Sequence, residues 1–189
     1  MPLRNMWSLN PGEVLVAEEI LKNVPRCELY FPVHDVGIDL LVVKGKQYCG
    51  IQVKESRYFP GRSQSIREHS WHQVKGKNLN PDAPSNRKMP DIFVFLTYLP
   101  NYEPTKISSF RQSYIIIPLE NLRTKMGAKR PSRGVYSFYF CFEGKQVSEI
   151  RDGPEDYSEF LDNWDLVDQA LSQPSGLVPA RHLTSGGIL

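Results

Sequence analysis

Residues 37–56, GIDLLVVKGKQYCGIQVKES, constrain this chain more than any other stretch. Gly37 to Val43 is short, apolar and β-branched, with one carboxylate inside it; Tyr48 to Glu55 alternates around Ile51 and Val53. Between them, Lys44-Gly45-Lys46-Gln47 predicts a hairpin turn, with Gly45 taking the positive φ of a type II′ first corner. If Gly45-Lys46 is the two-residue loop, Lys44 pairs with Gln47 and Asp39 comes to face Gln52, β-carbons about 4.5–5.5 Å apart. Side chains alternate along a strand, so Asp39, Gln52 and Lys54 share one face while Ile51 and Val53 point the other way. A slip of one residue would destroy the arrangement.

An amphipathic hairpin with a solvated polar face is the plain alternative. Against it, Asp is depleted in strand interiors, yet Asp39 sits among Ile, Leu and Val. The polar face also holds a hard oxygen donor, a second oxygen donor and a cation in order. A Mg²⁺ site that cleaves a phosphodiester needs oxygen ligands and a positive group near the attacking water or the developing charge.

Asp39 followed by Gln52-Val53-Lys54 resembles the D…(D/E/Q)xK signature of the PD-(D/E)xK nuclease superfamily, which includes type II restriction enzymes, archaeal Holliday-junction resolvases and some intron homing endonucleases. The resemblance covers roughly residues 10–100. Gln52 stands where an acid is more usual, and Ile38 rather than Pro precedes Asp39. The resemblance implies an α/β fold with a restriction-endonuclease-like core, a mixed central sheet flanked by helices in the order αβββαβ. It implies Mg²⁺- or Mn²⁺-dependent hydrolysis of DNA. Asp39 would bind metal, with further oxygens from Gln52 and the Val53 carbonyl. Lys54 would position or help deprotonate water and stabilise charge on the phosphate. An acid on the first helix often completes such a site; Glu13 is the best-placed candidate, Glu19 the fallback and Glu18 a third.

That first helix is expected over residues 10–23. Asn10 suits the N-cap, Pro11 the first helical position, and Glu13 lies three residues on as in a capping box. Val16, Ala17, Ile20 and Val24 share a face with Glu13, so Glu13 can serve the cap, the site or both. Cys27–Val33 predicts a strand leading into the hairpin. His34 and Asp35 belong to the loop beside Asp39, as turn residues or as contacts to phosphate or metal.

Beyond Lys54, SRYFPGRS (56–63) mixes Arg, aromatics and turn formers, which suits phosphate contact and base stacking; Arg57, Tyr58 and Arg62 are its candidates. Residues 63–79 are expected to be a helix, with His72, Gln73, Lys75 and Lys77 as further DNA contacts or simply solvated residues, and Trp71 in the core. Asp91–Tyr98 is a near-continuous apolar run, as in a central strand buried on both faces. A loop over 99–112, a strand over 113–117, a short helix over 119–126 and a strand over 135–142 follow. A return strand over 147–150 would complete a C-terminal β-hairpin. A helix over 156–171 is expected to pack Tyr157, Phe160, Leu161, Trp164, Val167 and Leu171. Residues 1–172 then form one domain, and the Pro/Gly/Ser-rich 173–189 a mobile tail.

Charge enters the argument through its distribution, since the net is only +2. Lys54 to Lys88 holds eight basic residues against Glu55, Glu68 and Asp82; residues 123–133 add Arg123, Lys125, Lys129, Arg130 and Arg133 with no acid; from Glu143 to Asp168 nine acids oppose Lys145 and Arg151. Such asymmetry suggests a basic face for a polyanion and an acidic far end, unless it is ordinary surface charge. Three widely spaced cysteines fit neither a disulfide framework nor zinc. They suit a reducing, cytoplasmic setting, each as a small buried hydrophobe. No apolar run is long enough to span a membrane, and no phosphate-binding glycine motif suggests a nucleotide cofactor. The expected partner is DNA, with a homodimer left open. The rival expectations are a non-catalytic nucleic-acid-binding module on the same fold and a protein-interaction domain whose acidic C-terminal helix docks a partner.

Overall fold

A computed structural model describes residues 9–33, 37–57, 68–76, 79, 89–103, 106–127 and 129–172. Helix α1 (Pro11–Asn23) starts at Asn10 with Pro11 in its first turn. Strands β1 (Glu28–Tyr30), β2 (Leu40–Lys44), β3 (Gln47–Arg57), β5 (Ile92–Glu103) and β6 (Lys106–Pro118) form a mixed sheet in the order β1-β2-β3-β5-β6. Only β3 and β5 run parallel. The hairpin takes the expected register, Lys44 opposite Gln47 and Leu40 opposite Ile51, with Gly45 at φ 63°. As its apolar run demands, β5 is an interior strand, between β3 and β6, and Ile92 to Leu96 are fully buried.

Each face of this sheet carries its own core. On one, Ile51, Val53, Val94 and Leu96 meet Val16, Ala17 and Ile20 of α1 and Val167 and Leu171 of α3 (Asp165–Ser172). On the other, Phe93, Phe95, Ile115 and Ile117 meet Leu122 of α2 (Leu119–Met126) and the phenylalanines of a second sheet. That sheet, ordered β4-β7-β8-β9, comprises β4 (Glu68–Lys75), β7 (Val135–Glu143), β8 (Gln146–Glu149) and β9 (Glu155–Asp156). The molecule is thus mixed α/β, layered helix, sheet, sheet, and the C-terminal hairpin is β7–β8. Among the described residues, no helix is long and apolar enough to cross a membrane.

Three expectations change. Residues 68–75 are strand, not helix. Ser70, His72 and Val74 face inward at period two while Trp71, Gln73 and Lys75 are exposed, and β4 pairs with β7 along its whole length. Pairing covers an otherwise bare edge of aromatic β7, and this outweighs local helical preference. The αβββαβ order therefore lacks its second helix across residues 68–75. The loop placed at 99–112 is instead a long antiparallel extension of β5 and β6, with a register shift at Asn101/Tyr102.

The helix placed at 156–171 is only half helix. A short 3₁₀ turn (Ser158–Phe160) precedes a crossing at Leu161 and Asp162, where Asp162 N–H donates to the Tyr114 carbonyl (2.7 Å) and Tyr114 N–H to Asp162 Oδ1 (2.8 Å). These bonds wrap the chain around the edge of β6. Tyr157 and Phe160 therefore serve one core, and Trp164, Val167 and Leu171 the other.

Charge segregated in sequence is paired in space. Lys125 bonds Glu155 (3.3 Å), Lys44 bonds Asp168 (2.5 Å), and the buried Lys129 pairs with the buried Glu149. Arg123 is held by Glu120 and the Leu79 carbonyl. Of the basic run at 123–133, Arg130 and Arg133 remain exposed. Glu149, Asp152 and Glu155 of the acidic segment thus serve as counter-charge to that run.

Candidate functional site

Strand β3 outruns β2. The paired ladder ends at Leu40–Ile51, one pair short of the expected Asp39–Gln52 pair. Beyond that point β3 keeps β5 on one side, while β2 has peeled away. Asp39 sits at the parting. Its N–H donates to the Ile51 carbonyl (2.8 Å), and its Oδ2 accepts the Val53 N–H (2.8 Å). In a two-residue hairpin every second pair is hydrogen-bonded, so that N–H would have sought the Ile38 carbonyl had the ladder continued. The carboxylate replaces the lost carbonyl, and this is the physical reason Asp39 stands among apolar neighbours.

Gly50 lets the parting form. A Cβ there would lie 2.7 Å from Ile38 Cδ1, and Ile38 is the buried residue that leads into Asp39. Gly50 is also bonded to Asp91 at the head of β5: its N–H donates to Asp91 Oδ2 (2.7 Å) and its carbonyl accepts the Asp91 N–H (2.7 Å). Burial raises the Asp91 pKa, against a smaller opposing pull from that Gly50 bond. Gly50→Val should displace Ile38 and Asp39 together, with a loss of about 1–3 kcal/mol in urea unfolding. A variant as stable as wild type would show that the 38–39 segment shifts freely.

Gln52 and Lys54 lie beside Phe93 and Phe95 in the register, so both face the second sheet, opposite Ile51 and Val53. Gln52 is 7% exposed, and its Oε1 is buried without a hydrogen-bond partner. A buried amide carbonyl left unpaired costs about 1–3 kcal/mol, so this oxygen calls for an occupant. Lys54 is half-buried. Glu13, in the first turn of α1, is 2% exposed and accepts a hydrogen bond from Asn10 Nδ2 (3.1 Å). The side chain of Asn10 thus bonds to Glu13 rather than capping the helix backbone. The start of α1 lies against the far end of β3, since a Cβ on Gly12 would come within 2.6 Å of Glu55 Oε2. Glu13 therefore approaches from the Val53 side of the sheet and Gln52 and Lys54 from the other. The edge of β3 that β2 leaves, unpaired with another strand among the described residues and with Asp39 on it, is where the two faces meet.

The remaining candidates separate. His72 is buried between the sheets, its ring against Phe95 (5.2 Å between centroids) and Phe140 (5.8 Å), with Nε2 3.0 Å from Thr97 Oγ1. It does not face outward for contact with DNA. Burial pushes its pKa down to about 3, against a weaker contrary pull from the Lys54 backbone. Gln73 and Lys75 are exposed on the outer face of β4. Arg57 ends β3, but its side chain lies outside the described residues, as do Tyr58, Arg62, Lys77, His34 and Asp35. Glu19, at the other end of α1, bonds Lys22 (2.7 Å), and Glu18 is exposed.

Sequence reasoning did not find Ser56, Thr97 or the exposure of Trp71. Ser56 Oγ accepts the Trp71 N–H (3.3 Å), which joins the open edge of β3 to that of β4. The alternation in SWHQVK was the available signal. Among the described residues, no three of His, Cys, Asp and Glu cluster as a metal site, so a cation here would rest on two carboxylates, an amide oxygen and backbone. Compared with protein-family models and with curated proteins, the chain matches none.

Proposed function

We propose that the protein is a divalent-metal-dependent endonuclease that hydrolyses DNA phosphodiester bonds at the open edge of β3. One observation carries this: where β2 leaves β3, the Asp39 carboxylate is anchored on the Val53 N–H beside Gln52, whose buried Oε1 has no partner, with Lys54 next on the same face of the strand. An unpaired oxygen donor among hard oxygen ligands fits Mg²⁺ or Mn²⁺. Asp39, Glu13, Gln52 Oε1 and the Val53 carbonyl would hold the ion. When bound, it lowers the pKa of a coordinated water and offsets phosphate charge. Lys54 holds the attacking water by hydrogen bond and balances charge that builds on the phosphate oxygens. The Val53 N–H fixes the orientation of Asp39.

The test is cleavage of plasmid, linear, branched and single-stranded DNA with Mg²⁺ or Mn²⁺ and a chelator control, using wild type, Asp39→Asn and Lys54→Ala. Metal-dependent cutting that falls by about 10²–10³-fold or more in each variant is expected, the scale of losing one transition-state electrostatic contact. DNA binding without cutting would favour the non-catalytic module. Cutting that survives both substitutions would place the chemistry elsewhere.

A further inference from the structure

The outer face of the second sheet carries an aromatic surface that the cleavage site does not use. Trp71 is 42% exposed in the middle of β4. Tyr139, its register partner on β7, holds its ring nearly parallel to the indole (16°, centroids 6.3 Å apart). Gln73 and Lys75 continue the same face, both exposed, and the Gly76 N–H donates to the Gly134 carbonyl (2.8 Å), which brings exposed Arg133 to that end. Glu143 lies at the opposite end of β7. The face thus runs from cations to an uncharged aromatic centre.

Its position relative to β3 gives it meaning. The Trp71 N–H is bonded to Ser56 Oγ, and Ser56 is two residues along β3 from Lys54, a rise of about 6.6 Å. An exposed aromatic plane on the outer face, whose own backbone is tied to β3 and which has cations on one flank, suits a nucleotide whose base is unstacked and whose phosphates run toward Lys75. A base paired within a duplex presents only its edges, so it cannot lie flat on Trp71.

We infer that Trp71, backed by Tyr139, stacks an unpaired base of the nucleic acid engaged at β3, so that the preferred substrate contains a single-stranded segment. This rests on the nucleic-acid function proposed above but does not require cleavage. The experiment measures binding in chelator, by fluorescence anisotropy, for a labelled single strand, the same strand with abasic positions, and a duplex of equal length. The protein is wild type, Trp71→Ala, Trp71→Phe and Lys54→Ala. Wild type should prefer the single strand over both the abasic strand and the duplex. Trp71→Ala should bind the single strand about 5- to 150-fold more weakly, the range for one lost stacking contact, and Trp71→Phe should keep most of the affinity.

Equal affinity for normal and abasic strands in wild type overturns the inference without any variant. So does an unchanged single-strand affinity in Trp71→Ala. A wild-type dimer that Trp71→Ala converts to monomer on size-exclusion chromatography would make this face a contact between copies, and would overturn it too. Stacking retained in a protein that cuts nothing removes only the nuclease proposal. Cutting of duplex with no use for Trp71 removes only this inference.

Discussion

Glu149→Leu should cost about 3–5 kcal/mol of stability, the scale for stranding one member of a buried ion pair. Lys129 and Glu149 are both almost wholly buried, and their side chains pair directly. Glu149 Oε1 also accepts the N–H groups of Tyr139 (3.0 Å) and Arg151 (3.1 Å), and the Lys129 ammonium lies 5.2 Å from the centre of the Phe138 ring. One carboxylate therefore ties the segment after α2 to β7 and to the end of β8. Removing it leaves two amides without their acceptor, and the buried ammonium with only the longer contact to Asp152 Oδ2 (3.5 Å). Lys129→Met should cost a similar amount, since the bare carboxylate is then stranded. The double variant Lys129→Met/Glu149→Leu should lose clearly less than the sum, because neither charge remains, though the two amides still lack an acceptor. Urea unfolding at neutral pH with an unchanged m-value measures this. A loss under about 1 kcal/mol for either single variant would mean that water reaches the pair and that it behaves as a surface contact.

Acid should unfold the protein through His72. In the unfolded chain this imidazole titrates near 6.5; in the fold, burial holds it down to about 3. Between those values the unfolded chain binds a proton that the native state refuses. The stability that depends on neutral His72 is complete above pH 6.5 and drains away as pH falls toward 3, at up to about 1.4 kcal/mol per pH unit. Asp91 and Asp162 act in the opposite sense, because burial raises both carboxyls. Each is protonated more readily in the native state, so stability grows as pH falls through its raised value. Their effect offsets part of the loss. Replacing His72 by Gln keeps a hydrogen-bonding group for Thr97 and removes the titration, so His72→Gln should flatten stability between pH 6.5 and 4. An acid limb identical to wild type would show that other groups carry the transition. Since His72 packs against Phe95, the register neighbour of Lys54, the cleavage proposed for this edge should decline over the same range.

Much of this architecture was legible because short-range chemistry dictates it. Gly45 in its turn fixes the β2–β3 register, Pro11 starts α1, and the residues of α2 and of the β7–β8 hairpin fall within a residue of where their patterns place them. The unbroken run Ile92–Leu96 required a strand covered on both sides, and it is covered on both. Tertiary structure alone decided the rest. Residues 68–75 carry a period-two pattern and helix-compatible spacing at once, and only the need of β7 for a partner selects strand. Lys125, Lys129, Glu149 and Glu155 look like opposing surface fields in sequence, and only the fold brings them together. The same holds at the site. The spacing of Asp39, Gln52 and Lys54 on a hairpin singles them out in the sequence, whereas the exchange of a ladder carbonyl for the Asp39 carboxylate, the unpaired Gln52 oxygen and the approach of Trp71 to Ser56 come from tertiary contacts. A turn closes over a few residues and declares itself locally; which face meets which is settled by burial of apolar area and by the pairing of strand edges, and neither is written in any one segment.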